Sequence, residues 1–315
     1  MSQNTLLYTG LTASMYFNLA RDLSWMNSKN HEHSDRDGHV LGYICDIKIH
    51  GSVANTISTV SAPNSWKMRN SFRKWHAYRE MMFTEAGVSE SEMGRYGKTI
   101  RPYLDQNMKA GVIKDPAGWD ISGTPPAQTQ EWTYTEIASA PGFGTGAAGT
   151  NTGDIVDTYD LHICGPNTVD VTTPDTDADY YSAVGMIHSY NQDRQEQPLF
   201  DLADSSQFIA GQNNPLALLK QGGSVSGGEV MDIVEDQERE APPYDITDNG
   251  PSIDLIVSDF TQLNPGYDGT NSVPVVKTLR CFVPAGLLAM SASADDSGAG
   301  ILINVLGIVR CKDMA

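Results

Sequence analysis

The chain has 315 residues and a formal net charge of −18, and 40% of its residues are hydrophobic. This length and apolar content are enough for one large domain or two ordinary ones with a real core. The charge is uneven, because residues 115–276 hold 26 acidic and 3 basic residues, whereas residues 1–114 hold 10 acidic and 14 basic ones. So acidic a middle segment repels nucleic acid, which argues against a nucleic-acid-binding protein and fits a solvated outer surface.

The sequence carries no marks of export. Its N-terminus has no basic start, no continuous apolar centre and no clear cleavage site, so we expect no secretory signal. The cysteines form no C-x-x-C pair, and we interpret them as buried thiols of a protein made in a reducing compartment. They are Cys45, Cys164, Cys281 and Cys311.

The first polar cluster along the chain is "NHEHSDRDGH" (30–39). It places His31, His33 and Asp35 at alternating positions, and imidazoles with carboxylates can bind zinc. The spacing is similar to part of the H-x-H-x-D-H signature of metallo-β-lactamases, but Arg36 stands where that family needs a histidine. We therefore expect a polar loop here, with His31, His33 and Asp35 as metal ligands in the alternative interpretation.

A basic and aromatic helix is predicted over residues 64–86, with Asn64 or Ser65 as its N-cap and Gly87 at its end. Basic residues mixed with aromatics also occur in nucleic-acid-binding helices. However, the apolar residues recur at three- and four-residue spacing, which is typical of a helix packed on a core. The predicted core positions are Phe72, Trp75, His76 and Tyr78, and the predicted basic face carries Lys67, Arg73 and Lys74.

An internal repeat indicates two similar modules. "CDIKIHG" (45–51) resembles "YDLHICG" (159–165), and both alternate apolar and polar residues as strands do. "HAY" follows the first stretch and "HSY" the second at similar distances, so His188 and Tyr190 would be the equivalents of His76 and Tyr78. The predicted division is an N-terminal arm at 1–38, modules at 39–140 and 154–315, and a Gly/Ala-rich linker at 141–153.

Two further stretches have a plain and a functional interpretation. "GFGTGAAG" (142–149) contains G-x-G-x-x-G, but no buried strand precedes it, so we interpret it as part of the linker. The acidic run at 232–245 lacks the spacing of a calcium loop, and we interpret it as solvated, with a structural cation as the alternative.

Most of the remaining chain predicts short strands bounded by Gly, Pro, Asn or Asp, which is typical of β-sandwiches and jelly rolls. Helices are the minority, with a second one predicted at 180–195. The predicted strands are 39–50, 55–61, 131–138, 155–164, 168–173, 229–235, 252–260, 274–283, 286–292 and 300–310.

The sequence resembles major capsid proteins of the double jelly-roll lineage, and most of all its smaller bacteriophage members. Four stretches carry this resemblance, namely 62–105, "YYSAVGMIHSYNQDR" (180–194), "EDQEREAPPYD" (235–245) and "FVPAGLLAM" (282–290). The resemblance implies a mainly β fold with two tandem jelly-roll modules, each an eight-stranded β-sandwich, and a few inserted helices.

The resemblance also implies a function. Three chains would form a pseudo-hexagonal capsomer, and capsomers would build an icosahedral shell with no catalytic activity and no cofactor. The implied partners are further copies of the chain, penton or minor capsid proteins, and an internal membrane or the genome on the inner face. The implied location is the virion capsid, after assembly in the host cytoplasm.

Two other classes stay open at this point. One is a two-domain extracellular β-sandwich that binds carbohydrate, although the missing export signal argues against it. The other is a metal-dependent hydrolase that uses His31, His33 and Asp35.

Overall fold

The computed structural model describes residues 4–88, 99–117, 132–138, 158–170, 180–194, 255–268 and 272–311. Strands dominate these residues, and most of them pair antiparallel. Eight strands form a sandwich of two four-stranded sheets, and four shorter strands form a third sheet. The fold is therefore mainly β, with several antiparallel sheets arranged as a β-sandwich.

Both sheets of the sandwich draw strands from the two ends of the chain. The first sheet has the order β1 (Thr5–Leu11), β14 (Asp296–Arg310), β3 (Leu41–Gly51) and β12 (Val275–Pro284). The second has the order β2 (Ser14–Asn18), β13 (Leu287–Ala292), β4 (Asn55–Ser61) and β9 (Ile256–Leu263). Counted along the chain from 1 to 8, these strands give the orders 1-8-3-6 and 2-7-4-5.

The sandwich forms because alternate residues of each strand are apolar and point between the sheets. Tyr43, Ile47 and Ile49 on β3 are fully buried in the same core as Phe17 on β2 and Met290 on β13. The packing of the two inner faces fills the space between the sheets with large side chains.

The remaining described elements lie between β4 and β9 in the chain, apart from α1 (Leu19–Asn27) and a two-stranded ribbon between β9 and β12. The third sheet has the order β5 (Glu136–Ala138), β6 (Thr158–His162), β8 (Tyr180–Gly185) and β7 (Thr168–Asp170), and its β6 and β8 are parallel. The helices are α2 (Trp66–Glu85), α3 (Gln106–Ala110) and α4 (Met186–Arg194), and a short ribbon joins β10 (Gly266–Tyr267) to β11 (Ser272–Val273).

A second core lies on the outer face of the second sandwich sheet. Tyr16 and Leu287 point outward from that sheet, while their neighbours Phe17 and Leu288 point into the sandwich. The outward residues pack in one cluster with α2 and with the third sheet, where Tyr159 is a member. The strand alternation thus lets one sheet serve two cores.

The strand pairing does not follow the predicted boundary between modules at 39–140 and 154–315. β3, from the first predicted module, pairs with β12 and β14 from the second. Within the predicted arm at 1–38, β1 and β2 are strands of the sandwich and α1 follows them. Which strands pair depends on residues far apart in the chain, and the local sequence pattern of one strand does not identify its partner.

Single elements agree better with their predicted positions. The helix predicted at 64–86 is α2. Its N-cap is Ser65, whose hydroxyl accepts a hydrogen bond from the Met68 N–H at 3.2 Å. Gly87 follows the end of the helix and has a φ of +73°. The helix predicted at 180–195 is half strand, because β8 occupies its first residues and α4 the rest. The predicted linker at 141–153 and the strand at 229–235 lie outside the described residues.

In the part of the chain that the structure describes, no helix has the length and apolarity needed to cross a membrane.

Candidate interaction surface

The structure places the three metal-ligand candidates in different surroundings. His33 is fully buried, its Nδ1–H donates to the Ala285 carbonyl, and its ring meets Trp132 edge-on with centroids 5.5 Å apart. Asp35 accepts hydrogen bonds from the backbone N–H groups of Asp37 and His39. The part of the chain that the structure describes contains no group of three or more His, Cys, Asp or Glu side chains that could hold a metal ion.

Burial also changes the titration of these histidines. It lowers the pKa of His33 to about 4, although the hydrogen bond to Ala285 opposes the shift. It lowers the pKa of the half-buried His31 as well, and the nearby Lys29 lowers it further. Both imidazoles are therefore neutral at pH 7, and they serve packing in this loop.

Three of the four predicted core positions of α2 are buried. Phe72 and Trp75 are fully buried, Tyr78 is buried, and His76 is only partly covered. Trp75 meets Tyr159 of β6 in an edge-on contact with centroids 6.5 Å apart. This contact joins α2 to the third sheet, so Trp75 is a framework residue.

The predicted basic face of α2 needs a correction at Lys74. Its side chain is only 1% exposed, and Nζ lies 5.9 Å from the centre of the Tyr190 ring. Tyr190 itself is buried on α4, and His188 is on the same helix. The "HAY" and "HSY" stretches thus lie on two helices that pack together, and the wide buried face of α2 includes a lysine.

One lateral side of the sandwich, formed by the edges of β1 and β2, is covered by residues 112–117. The Tyr16 N–H donates to Val112, the Lys114 N–H donates to Tyr16, and the Ala117 N–H donates to Leu7. A backbone segment thus satisfies edge groups that would otherwise be open to another strand.

A buried charge network anchors this covering segment. Arg21 donates to the Lys114 carbonyl at 2.8 Å and pairs with Asp115 at 2.9 Å and Asp22 at 2.8 Å. Asp22 also accepts a hydrogen bond from Tyr8 at 2.6 Å. Burial raises the pKa of Asp22 to about 6, against the effect of Arg21. Backbone hydrogen bonds and the ion pairs of Arg21 therefore hold residues 112–117 against this side of the sandwich.

The opposite side, formed by the edges of β9 and β12, has a different character. Both strands are terminal in their sheets, and no described strand pairs with their outer edges. Of the twelve large apolar side chains exposed in the described part of the chain, half lie between residues 256 and 276. They are Ile256, Val257, Phe260, Tyr267, Val273 and Val276, with exposures from 45% to 82%. We call this surface the open side.

Asp259 joins the two edge strands of the open side. Its carboxylate accepts hydrogen bonds from the N–H of Phe260 on β9 at 2.8 Å and from the N–H of Arg280 on β12 at 3.2 Å. Asp259 pairs with Thr59 on β4, and paired residues point to the same face of a sheet. Because Thr59 is fully buried, the Asp259 side chain points toward the inside of the sandwich. An inward charge at a sheet edge is one way in which proteins block uncontrolled strand addition.

The sequence analysis did not identify the open side. The signal was present in β9, "IVSDFTQL", where Ile256 and Val257 are adjacent and so occupy both faces of one strand. A strand of a sandwich with one solvated face usually alternates, and two apolar neighbours at an edge indicate a second contact. Of the other stretches singled out in the sequence, 142–149 and 232–245 lie outside the described residues.

Comparisons of the chain with models of known protein families, with curated proteins and with solved structures found no match.

Proposed function

We propose that this chain is a structural subunit of a viral shell, with self-association as its work and no catalytic role. The observation that carries the proposal is the strand order of the sandwich. Orders 1-8-3-6 and 2-7-4-5 in two facing sheets are those of an eight-stranded jelly roll, an architecture that viral capsid domains share with lectin domains and cupins.

The interior of the sandwich favours the structural role over the alternatives. A cupin uses the space inside its barrel for a ligand or metal, but here Tyr8, Phe17 and Tyr43 fill the space between the sheets. The open side instead offers a surface for another protein. A lectin domain shares the strand order, so carbohydrate binding is the second candidate that an experiment must separate.

The proposal describes one jelly roll, formed by residues 4–61 and 255–311, with an insertion between β4 and β9. The pseudo-hexagonal trimer implied by the resemblance requires two jelly rolls in each chain. With one jelly roll in each chain, the number of chains in a capsomer has to be measured. The virion location, the host-cytoplasmic assembly and the contacts with penton or minor proteins, membrane or genome belong to the same proposal.

Light scattering and negative-stain microscopy of the purified full chain test this function. We expect regular capsomers or closed shells that form as the protein concentration rises. A chain that stays monomeric at high concentration in native buffer would count against the proposal. Retention of such a monomer on a glycan array would assign the jelly roll to carbohydrate binding.

A further inference from the structure

We propose that the open side, built from β9, the ribbon and the start of β12, binds a second copy of this chain through side-chain packing. The inference rests on the proposed function and deepens it, because it names the surface and the occupant. The covered side cannot take this role, since residues 112–117 already occupy the edges of β1 and β2.

The size of the apolar surface fits a protein partner. Its six side chains are each about half exposed or more, and at roughly 100 Å² each they present roughly 600 Å² of surface. The largest apolar patch of an ordinary monomer is about 300–600 Å², and a partner in a standard interface contributes about 800 Å². Ile256 and Val257 point to opposite faces of β9, so a partner that covers all six side chains contacts both faces of this edge, and their total area is near the size that a specific protein contact needs.

The charges of this surface allow a second acidic copy of the chain to approach. Two copies with a net charge of −18 repel each other across most of their surfaces. On the open side, Lys277 and Arg280 are exposed, and Arg280 pairs with Asp46 at 2.7 Å. With Asp46, Asp259 and Asp268, the formal charge of these described residues is −1, so a second acidic copy meets less repulsion here than over the rest of the surface.

The hydrogen bonds of Asp259 indicate how the copies meet. The Asp259 carboxylate accepts a hydrogen bond from one backbone N–H group on each of the two edge strands. A strand of a second copy that paired with either edge would have to break these bonds. Side-chain packing leaves them intact. This mode predicts that Asp259→Ala does not tighten the association, and a tighter association of that variant would overturn this part of the inference.

The main experiment compares two variants with the same chemistry on opposite sides of the sandwich. Val257→Glu places a carboxylate on the open side, where Val257 is 64% exposed, and Val112→Glu does so on the covered side, where Val112 is 52% exposed. We expect Val257→Glu to raise the dissociation constant of self-association at least about tenfold, because it buries a charge at the contact. Val112→Glu should change it less than about threefold.

A labelling experiment covers the case in which Val257→Glu fails to fold. All four native cysteines are buried and none forms a disulfide, so Val257→Cys supplies the accessible thiol. A maleimide should label this thiol in the dilute subunit and much more slowly in the assembled one. Equal labelling rates in both states would overturn the inference.

The outcomes separate the inference from the proposed function. A wild-type chain that never associates overturns both. Association that Val257→Glu and Val112→Glu leave equally intact overturns the inference and leaves the shell function standing. Flotation of a monomeric wild-type chain with anionic lipid vesicles would overturn the inference by assigning the open side to a membrane.

Discussion

The sandwich and the region around α2 have cores of different chemistry. In the sandwich, most of the buried side chains between the sheets are apolar, such as Phe17, Ile47 and Ile303, and the buried Tyr8–Asp22 hydrogen bond is the exception at the β1 edge. Around α2, charged and polar side chains are buried among the apolar ones, including Lys74 and His162, each only 1% exposed. An apolar core needs only shape and volume, whereas the second core also needs its polar groups to find partners.

This difference predicts how the two regions respond to mutation. In the sandwich, the cost of a substitution should follow the volume that is removed. In the α2 region, the cost should also depend on which polar group loses a partner. Three effects of substitution, taken from the largest expected to the smallest, test this distinction.

The largest effects should come from removing one large ring in each core. We expect Trp75→Ala and Phe17→Ala each to lower the free energy of unfolding by about 3–5 kcal/mol, because both rings are fully buried. Urea unfolding followed by circular dichroism and by tryptophan fluorescence measures both losses. A loss below about 1 kcal/mol for Trp75→Ala would show that the α2 core contributes little to folding.

The same pair of variants tests whether the two cores unfold together. Tyr16 and Leu287 connect them through one sheet, so we expect a single transition for both variants. A separate early transition in Trp75→Ala, with the sandwich transition unchanged, would contradict this expectation.

The next effect concerns pH and the buried His33. Since the fold lowers its pKa from 6.5 to about 4, the folded protein keeps the imidazole neutral where the unfolded chain protonates it. The stability from this group is therefore complete above pH 6.5 and is lost as the pH falls toward 4. The loss should be about 3 kcal/mol. The charged neighbours are Glu32, which opposes the shift, and Arg101, which adds to it.

The His33→Gln variant isolates this contribution. We expect the difference in unfolding free energy between wild type and His33→Gln to shrink steadily from pH 7 to pH 4. Urea unfolding at unit steps of pH measures the difference, and other titrating groups cancel between the two proteins. A difference that stays constant over this range would show that His33 titrates normally.

Single elements could be predicted from the sequence where the local pattern is typical of only one kind of secondary structure. The alternation in β3, the Ser65 cap and the glycine after α2 each depend on neighbours within a few residues. β1 was missed although Leu6 and Tyr8 alternate with exposed residues, because we assigned the whole N-terminus to an arm. The open side was missed for a related reason, since exposure depends on which strands lie at an edge.

The pairing of strands could not be predicted in the same way. Thr5 pairs with Asn304, almost the full length of the chain away, and nothing near either residue specifies the other. The similarity of "CDIKIHG" to "YDLHICG" is a similarity between two strands, but β3 lies in the sandwich and β6 in the third sheet. A repeat of local pattern therefore indicates like elements, and it does not show that they belong to like domains.

The smallest of the three effects tests the residue that the helical pattern placed on the wrong face. Lys74 was expected on the basic face of α2, where replacement by alanine would leave the fold intact, yet its side chain is buried next to Tyr190. We now expect Lys74→Ala to cost about 1–3 kcal/mol through lost packing of its methylene groups and lost attraction to the ring.

Lys48→Ala, at an exposed position on β3, is the control and should change stability by less than about 0.5 kcal/mol. Lys74→Met keeps most of the volume and removes only the charge, so its stability relative to Lys74→Ala separates packing from electrostatics. If all three variants matched the wild type in urea unfolding, the polar core around α2 would not contribute to stability, and the contrast with the sandwich would fail.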